Sequence, residues 1–305
     1  MGKRKQRSWP DVPAPVGATL VDNHTHLPTC PDEIPRANGI ALPLEDQLAR
    51  SRSAGVGAII TCGCELPDLA ATVELTRHER VWAALAIHPN EAALHAGVAE
   101  PSPDGLVPER RSHHEVGLDE AIASVAELAA SRERVVAVGE TGLDYFRTSE
   151  AGRRAQQEAF RAHIRLAKEL DMPLQIHDRD AHADTISILI SDGAPERTVF
   201  HCFSGDAEMA RVLAEHGWYA SFAGPLTFRA NEELREAARA MPAGLVMVET
   251  DAPYLTPHPH RGCPNASYLV GLTVRVLAEC RGEDVVTMAE ATTATACEVY
   301  GMSLV

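Results

Sequence analysis

Lysine is nearly absent from this chain of 305 residues: only Lys3, Lys5 and Lys168 occur, and the formal net charge is −15. Binding along a long duplex needs a basic stripe that displaces phosphate counterions, so that mode is excluded. A nucleic acid would have to be held locally, at an end or on a short strand. Cysteine offers no framework either. The seven, at positions 30, 62, 64, 202, 263, 280 and 297, are odd in number and include no C-x-x-C pair, so neither a disulfide scaffold nor a cysteine zinc site is suggested and they read as reduced, mostly buried thiols. No apolar run approaches the ~20 residues of a membrane span. The basic start, Lys3, Arg4, Lys5 and Arg7, leads into Pro10, Pro13 and Pro15 and not into the apolar core of a signal peptide. Residues 1–18 are therefore expected to be a disordered basic, proline-rich tail. Residues 19–305 are expected to be one domain of a cytoplasmic protein without a membrane partner.

What the chain does contain is metal-competent side chains placed at the ends of apolar runs. Thr19-Leu20-Val21-Asp22-Asn23 leads into His24-Thr25-His26, and in a strand residues i and i+2 face the same way, so the two imidazoles converge. Val135 to Gly139 ends at Glu140, Met172 to Ile176 at His177, Thr198 to Phe200 at His201, and Leu245 to Val248 at Glu249-Thr250-Asp251. Gly57 to Cys62, Val81 to His88 and Trp218 to Phe222 complete a set of eight candidate strands. Helical patterning fills most gaps: Leu44 to Ala54, Pro67 to Arg77, Leu118 to Ser131, Glu150 to Leu170, His182 to Ser191, Ala207 to Gly217 and Glu232 to Ala240. Buried runs alternating with amphipathic helices predict an α/β fold with a parallel sheet and right-handed crossovers. Eight such units predict a (β/α)8 TIM barrel, typically about 250 residues, with its functional groups at the C-terminal ends of the strands.

The lysine shortage also bears on the chemistry. Many dinuclear barrel hydrolases bridge their two ions with a carboxylated lysine at the end of the fourth strand, where this chain has Glu140. Lys168 lies in a helical stretch and cannot substitute, so a bridging ligand here would be the two oxygens of a glutamate. Cys62-Gly63-Cys64 follows the second strand without any neighbour that would lower a thiol pKa, so these two read as packing at most near the mouth of a site.

The ordered motifs Asp22-Asn23-His24-Thr25-His26, Gly139-Glu140-Thr141-Gly142-Leu143-Asp144-Tyr145, Ile176-His177-Asp178-Arg179, His201-Cys202-Phe203-Ser204-Gly205 and Glu249-Thr250-Asp251-Ala252-Pro253-Tyr254-Leu255 resemble one family. It is the TatD-like metal-dependent deoxyribonuclease family of the amidohydrolase superfamily, and the resemblance runs from Thr19 to Tyr300. It implies two divalent metal ions (Mg, Mn or Zn), one held by His24, His26 and Asp251, the other by His177 and His201, with Glu140 between them. Asp251 and Glu140 are then the catalytic carboxylates, with Asp251 placed to take a proton from water. Substrate contacts are assigned to His88, in an element where Asn90 replaces the family's second histidine and Ala86 its glycine, and to Arg179 and Asp144. Arg179 could fork onto a phosphate or pair with Asp144, and Asp144 could instead orient a metal ligand. After the last strand, Arg261 and Asn265 of the family's R-x-x-x-N-E-P remain, but its Glu and Pro do not, which predicts altered substrate contacts and intact catalysis.

Residues 89–117 form a long, proline-containing segment, with His113-His114, that reads as a lid or an insertion. The function expected is a metal-dependent hydrolase that cleaves phosphodiester bonds of DNA from an end or on single strands. The same dinuclear site would also serve a small-molecule or aminoacyl-ester hydrolase. A non-catalytic metal-binding scaffold is the third reading. Against it, structural sites close with four ligands, whereas six spread over five strand ends leave room for water and substrate.

Overall fold

The eight apolar runs form one parallel sheet, hydrogen-bonded in chain order: β1 (Leu20–Thr25), β2 (Val56–Gly63), β3 (Val81–Leu85), β4 (Val135–Asp144), β5 (Leu174–Arg179), β6 (Thr198–Phe200), β7 (Tyr219–Phe222) and β8 (Val246–Val248). This computed structural model describes residues 7–103 and 105–304. Beyond β8 the chain returns to β1 through His26 N to Ala252 O (2.7 Å) and Asp251 N to His24 O (3.0 Å). The sheet is thereby nearly closed as a (β/α)8 barrel, with its outer wall made by α1 (Leu44–Ser53), α2 (Leu69–Leu75), α3 (Pro89–His95), α4 (Leu118–Ser131), α5 (Glu150–Glu169), α6 (His182–Asp192), α7 (Ala207–Glu215), α8 (Glu232–Ala240), α9 (Val270–Arg281) and α10 (Val285–Tyr300).

Strand alternation sorts the core into two sets. Val21, Ala58, Ile60, Ala84, Ala137, Val199 and Met247 pack inside the barrel, and α10 places Ala296, Val299 and Tyr300 on this inward set. Neighbouring strand residues such as Leu20, Ile59, Val138 and Ile176 belong to the larger layer between strands and helices. Several helices start where a side chain satisfies their free N–H groups. Ser149 accepts from Gly152 N at α5, Asp206 from Met209 N at α7, and Asp284 from Val286 N and Thr287 N at α10.

The structure corrects three sequence expectations. Residues 7–18 are laid on the barrel and are not a disordered tail. Val16 is buried, the Pro10 carbonyl accepts from Arg50 Nη1 (3.2 Å) and Tyr268 Oη (2.9 Å), and Trp9 Nε1 donates to Ile40 O (3.1 Å). Proline lacks an N–H but keeps its carbonyl, so a proline-rich segment can be tied down through acceptors alone. Residues 1–6 lie outside the described part. The fourth strand does not stop at Glu140 but continues to Asp144, pairing Gly142 with His177 and Asp144 with Arg179 of β5. Finally, the 89–117 segment begins as α3, with Pro89 in its first turn and Pro89, Ala92, Ala93 and Leu94 buried in the barrel wall. Only the stretch after α3 is an addition to the frame, and it runs beside the C-terminal end to a short 3-10 turn at Ser112–Glu115.

His163 on α5 is fully buried and hydrogen-bonded as a neutral ring, its Nδ1 donating to Ala159 O (2.8 Å) and its Nε2 accepting from Ile87 N (3.2 Å). Burial pushes its pKa down to about 4. The unfolded ring takes its proton near pH 6.5, so between these values the unfolded state binds more protons and stability falls as pH falls. We expect His163 to account for a loss of about 3 kcal/mol between pH 7 and 4. Urea unfolding of wild type and His163→Gln across this range checks it: the difference between the two should narrow at acid pH.

Candidate active site

Glu140, 4% exposed, stands where the ends of β1, β4, β5 and β6 meet. Its two oxygens face different histidines. Oε2 lies 3.5 Å from His24 Nε2 and 3.7 Å from His26 Nε2, whereas Oε1 lies 2.5 Å from His177 Nδ1, 2.7 Å from His201 Nε2 and 3.6 Å from His88 Nε2. Asp251 Oδ1 is 3.5 Å from His26 Nε2. Burial opposes ionisation of Glu140, but His201 and His88, with the hydrogen bonds from His177 and His201, override it and hold the carboxyl well below the ordinary range. Two glycines make this approach possible. A Cβ on Gly139 would collide with the Gln175 Cβ, and one on Gly142, whose φ is +141°, would collide with the His177 carbonyl oxygen.

Each of three histidines has one ring nitrogen fixed from behind. Gln175 Nε2 donates to Asn23 O (2.8 Å) and Tyr300 Oη (2.7 Å), which turns Gln175 Oε1 onto His24 Nδ1 (3.0 Å) and makes that nitrogen the donor. His24 Nε2 is then a bare lone pair, and it is buried without a hydrogen-bond partner. His177 turns Nε2 to Asp144 Oδ2 (3.2 Å), and His201 turns Nδ1 to the fully buried Glu249 (3.2 Å). The nitrogens left over all point at Glu140. This is the ring orientation that a carboxylate or amide behind a metal-binding histidine selects. The donor set therefore fits divalent cations. Ligand atoms within 4.8 Å of one another form three overlapping groups: His24, His26 and Glu140; His24, His201 and Asp251; and His88, Glu140 and His177.

All six residues expected as metal ligands come together, but His201 groups with His24 and Asp251 as well as facing Glu140 Oε1. The expected substrate residues differ among themselves. His88 Nδ1 accepts from Asn90 N (3.1 Å), so its Nε2 carries the proton and presents a donor, as a residue that binds an anion requires. Asp144 holds His177 and accepts from Asn90 Nδ2 (3.2 Å) and Arg147 N (2.9 Å). His177 is raised to about 9: burial works against it, and the Asp144 and Glu140 carboxylates prevail. Arg179 does not pair with Asp144; its guanidinium lies 4.0 Å over the Phe146 ring and lines the cavity. Asn265, from the altered motif, donates to Thr250 O (2.9 Å) and Tyr254 O (2.5 Å) and so clamps the loop that carries Asp251.

Sequence reasoning passes over Gln175, Glu249 and Asp22. Asp22 accepts from Thr250 N and Thr250 Oγ1 (both 2.7 Å), and burial pushes it up to about 7. Asp251 itself adopts φ 51°, a left-handed conformation that aspartate tolerates, with its N–H on His24 O. Cys62 and Cys64 both reach the site, Cys64 Sγ lying 3.8 Å from Glu140 Oε2, and burial raises both thiols, so they are neutral packing groups. The whole assembly opens into a cavity of about 1110 Å³.

Glu249→Gln keeps the shape behind His201 but removes the charge. We expect divalent-metal affinity to fall about 10- to 100-fold with the fold retained, read by calorimetric titration with manganese or zinc. Unchanged affinity would show that His201 needs no carboxylate behind it.

Known proteins are similar to this chain in sequence and fold. The family model TatD related DNase matches residues 21–301. A Mycobacterium tuberculosis protein named uncharacterized metal-dependent hydrolase TatD is 39% identical over 288 residues, covering 93% of this chain and 98% of that protein. A protein of Escherichia fergusonii named 3'-5' ssDNA/RNA exonuclease TatD is 32% identical over 268 residues, covering 85% and 93%. Among solved structures, the TatD homologue YJJV of Escherichia coli superposes with a TM-score of 0.76 at 26% identity, covering 93% of this chain and 98% of that one. With the barrel, the histidine and carboxylate donors at its C-terminal end and a match over nearly its whole length, the chain belongs to the TatD family of metal-dependent hydrolases.

Proposed function

We propose that the protein hydrolyses phosphodiester bonds of DNA, taking single strands or strand ends, with two divalent ions at the Glu140 centre. The observation that carries this reading is the division of Glu140 between two histidine groups, Oε2 toward His24 and His26 and Oε1 toward His177 and His201. Such a donor set would hold one ion with His24, His26 and Asp251 and another with His177 and His201, Glu140 bridging. Bound there, the ions would supply Lewis-acid neutralisation of the phosphate and a lowered pKa for the attacking water.

The chain's own groups do the rest. Asp251, 8% exposed and at the cavity wall, is placed to accept the proton of the attacking water. The His88 Nε2–H and the Arg179 guanidinium are donors for phosphate oxygens. Tyr254, 61% exposed beside His26, offers a flat face on which a base can stack without sequence preference. The cavity exceeds the 300–1,000 Å³ usual for small ligands, which favours a chain end over a small ester. Its cations are the arginines 111, 147 and 179, local contacts and not a stripe, as the acidic net charge demands. The exonuclease named in the Escherichia fergusonii relative acts on the same class of substrate.

The test is cleavage of end-labelled single-stranded and duplex oligonucleotides by protein stripped and reloaded with magnesium, manganese or zinc. Metal-dependent laddering is expected, and Asp251→Asn should lower kcat about 10²- to 10⁴-fold. Metal content is measured in both proteins. Loaded protein that leaves oligonucleotides intact and hydrolyses aryl or aminoacyl esters would overturn the reading in favour of a small-ester hydrolase.

A further inference from the structure

A second group of histidines lies beside the cavity, outside the Glu140 centre, with Glu91 and His113 on the cavity wall. Glu91 and His95 are four residues apart on α3 and so share a face, while the turn Ser112–Glu115 brings His113 and His114 against them. One ligand atom from each of the four lies within 4.8 Å of the others. The rings of His95 and His114 are 5.0 Å apart and those of His113 and His114 3.9 Å.

Hydrogen bonding assigns the tautomers of His95 and His114. His95 Nδ1 donates to Val116 O (2.8 Å), so Nε2 holds a lone pair. That nitrogen is buried and has no hydrogen-bond partner, in a residue only 6% exposed. Burial also lowers the His95 pKa, keeping the ring neutral and able to ligate. His114 is the opposite case: Nδ1 accepts from Arg111 N (2.8 Å), so Nε2 carries the proton and donates to Glu91 Oε2 (2.7 Å). His113 Nε2 is 3.3 Å from the same carboxylate oxygen. Glu65 and Asp68 line the same wall of the cavity, with Arg111 Nη1 3.4 Å from the Glu65 carboxylate.

We propose that His95, His113 and Glu91 form a separate divalent transition-metal site of the zinc class, with His114 holding Glu91 in position. Two imidazoles and one carboxylate suit zinc, cobalt or nickel and not magnesium, which takes oxygen ligands. Three protein ligands leave a coordination position open, and Glu91 and His113 both line the catalytic cavity, so that position faces the space where substrate would lie. The ion would also pin the stretch between α3 and the turn to the barrel frame. An ordinary satisfied histidine cluster leaves the bare, buried His95 Nε2 without a role.

The test uses no turnover, so it stands apart from the nuclease reading. The full chain, stripped and then dialysed against zinc, is analysed for metal content beside a His95→Gln/His113→Gln double variant. One zinc equivalent fewer per chain in the double variant is expected; equal content overturns the proposal. Because the double variant alters two rings packed in the wall, Glu91→Gln is the second arm, since it keeps an acceptor for His114 and removes only the charge. Its circular dichroism without metal should match wild type while this zinc binds at least about 10-fold more weakly. Undiminished zinc affinity in Glu91→Gln overturns the proposal as well. Zinc should also protect residues 96–111 from proteolysis in wild type and not in Glu91→Gln.

Discussion

A single buried anion organises this molecule. An ionised carboxylate removed from water costs several kcal/mol unless it is compensated, and Glu140 is compensated chiefly at Oε1, by His177 on β5 and by His201 and His88 just beyond β6 and β3, while Oε2 faces His26 and the bare nitrogen of His24. Those rings can turn lone pairs to the cations that would bind beside it only in one orientation and one tautomer. The next layer of polar residues is therefore as constrained as the donors: Gln175 behind His24, Asp144 behind His177 and Glu249 behind His201. Their own free atoms are satisfied in turn. Asn23 Nδ2 donates to Ser221 Oγ (2.8 Å) and Val248 O (2.6 Å), and Ser221 Oγ donates to Glu249. A polar network of this kind is stabilising only when every member is paired, and here it occupies the upper barrel while the lower barrel is apolar.

How much of this can be read in the residues depends on periodicity. The eight strands and the six donors are legible because parallel strands buried on both faces appear as apolar runs, and a histidine or carboxylate at the end of such a run breaks the pattern visibly. The supporting residues are not. Gln175 and Asp22 sit inside their runs, where one polar side chain looks like an ordinary interruption, and their partners are 151 and 228 residues away in sequence. Glu249 is quoted in a motif, yet nothing local distinguishes the carboxylate that faces the cavity from the one that stands behind His201.

The misreadings have equally physical causes. The 89–117 segment reads as a lid or insertion although it opens on a helix: at the first turn of α3 the missing N–H of Pro89 costs nothing, and His88 caps that helix through its own Nδ1. α10 carries Val285, Val286, Thr287, Thr292, Thr293 and Thr295, β-branched residues that blur a helical signature, and it is held by packing on the barrel interior. The proline-rich start looks like disorder because proline cannot donate; its carbonyls nevertheless find Arg50, Tyr268 and Arg275.

The Tyr300 hydroxyl has a bearing on the order in which the protein matures. It lies at the end of α10, accepts from Gln175 and donates to Asn23 Oδ1 (3.2 Å), and so fixes the amide that dictates which nitrogen of His24 is bare. During synthesis every donor of the centre has left the ribosome once Asp251 has emerged. The hydroxyl that joins Asn23 O in holding Gln175 against His24 arrives only with the last helix. A nascent chain thus holds every donor of the centre before the Gln175 amide has both of its acceptors, and docking of α10 completes them.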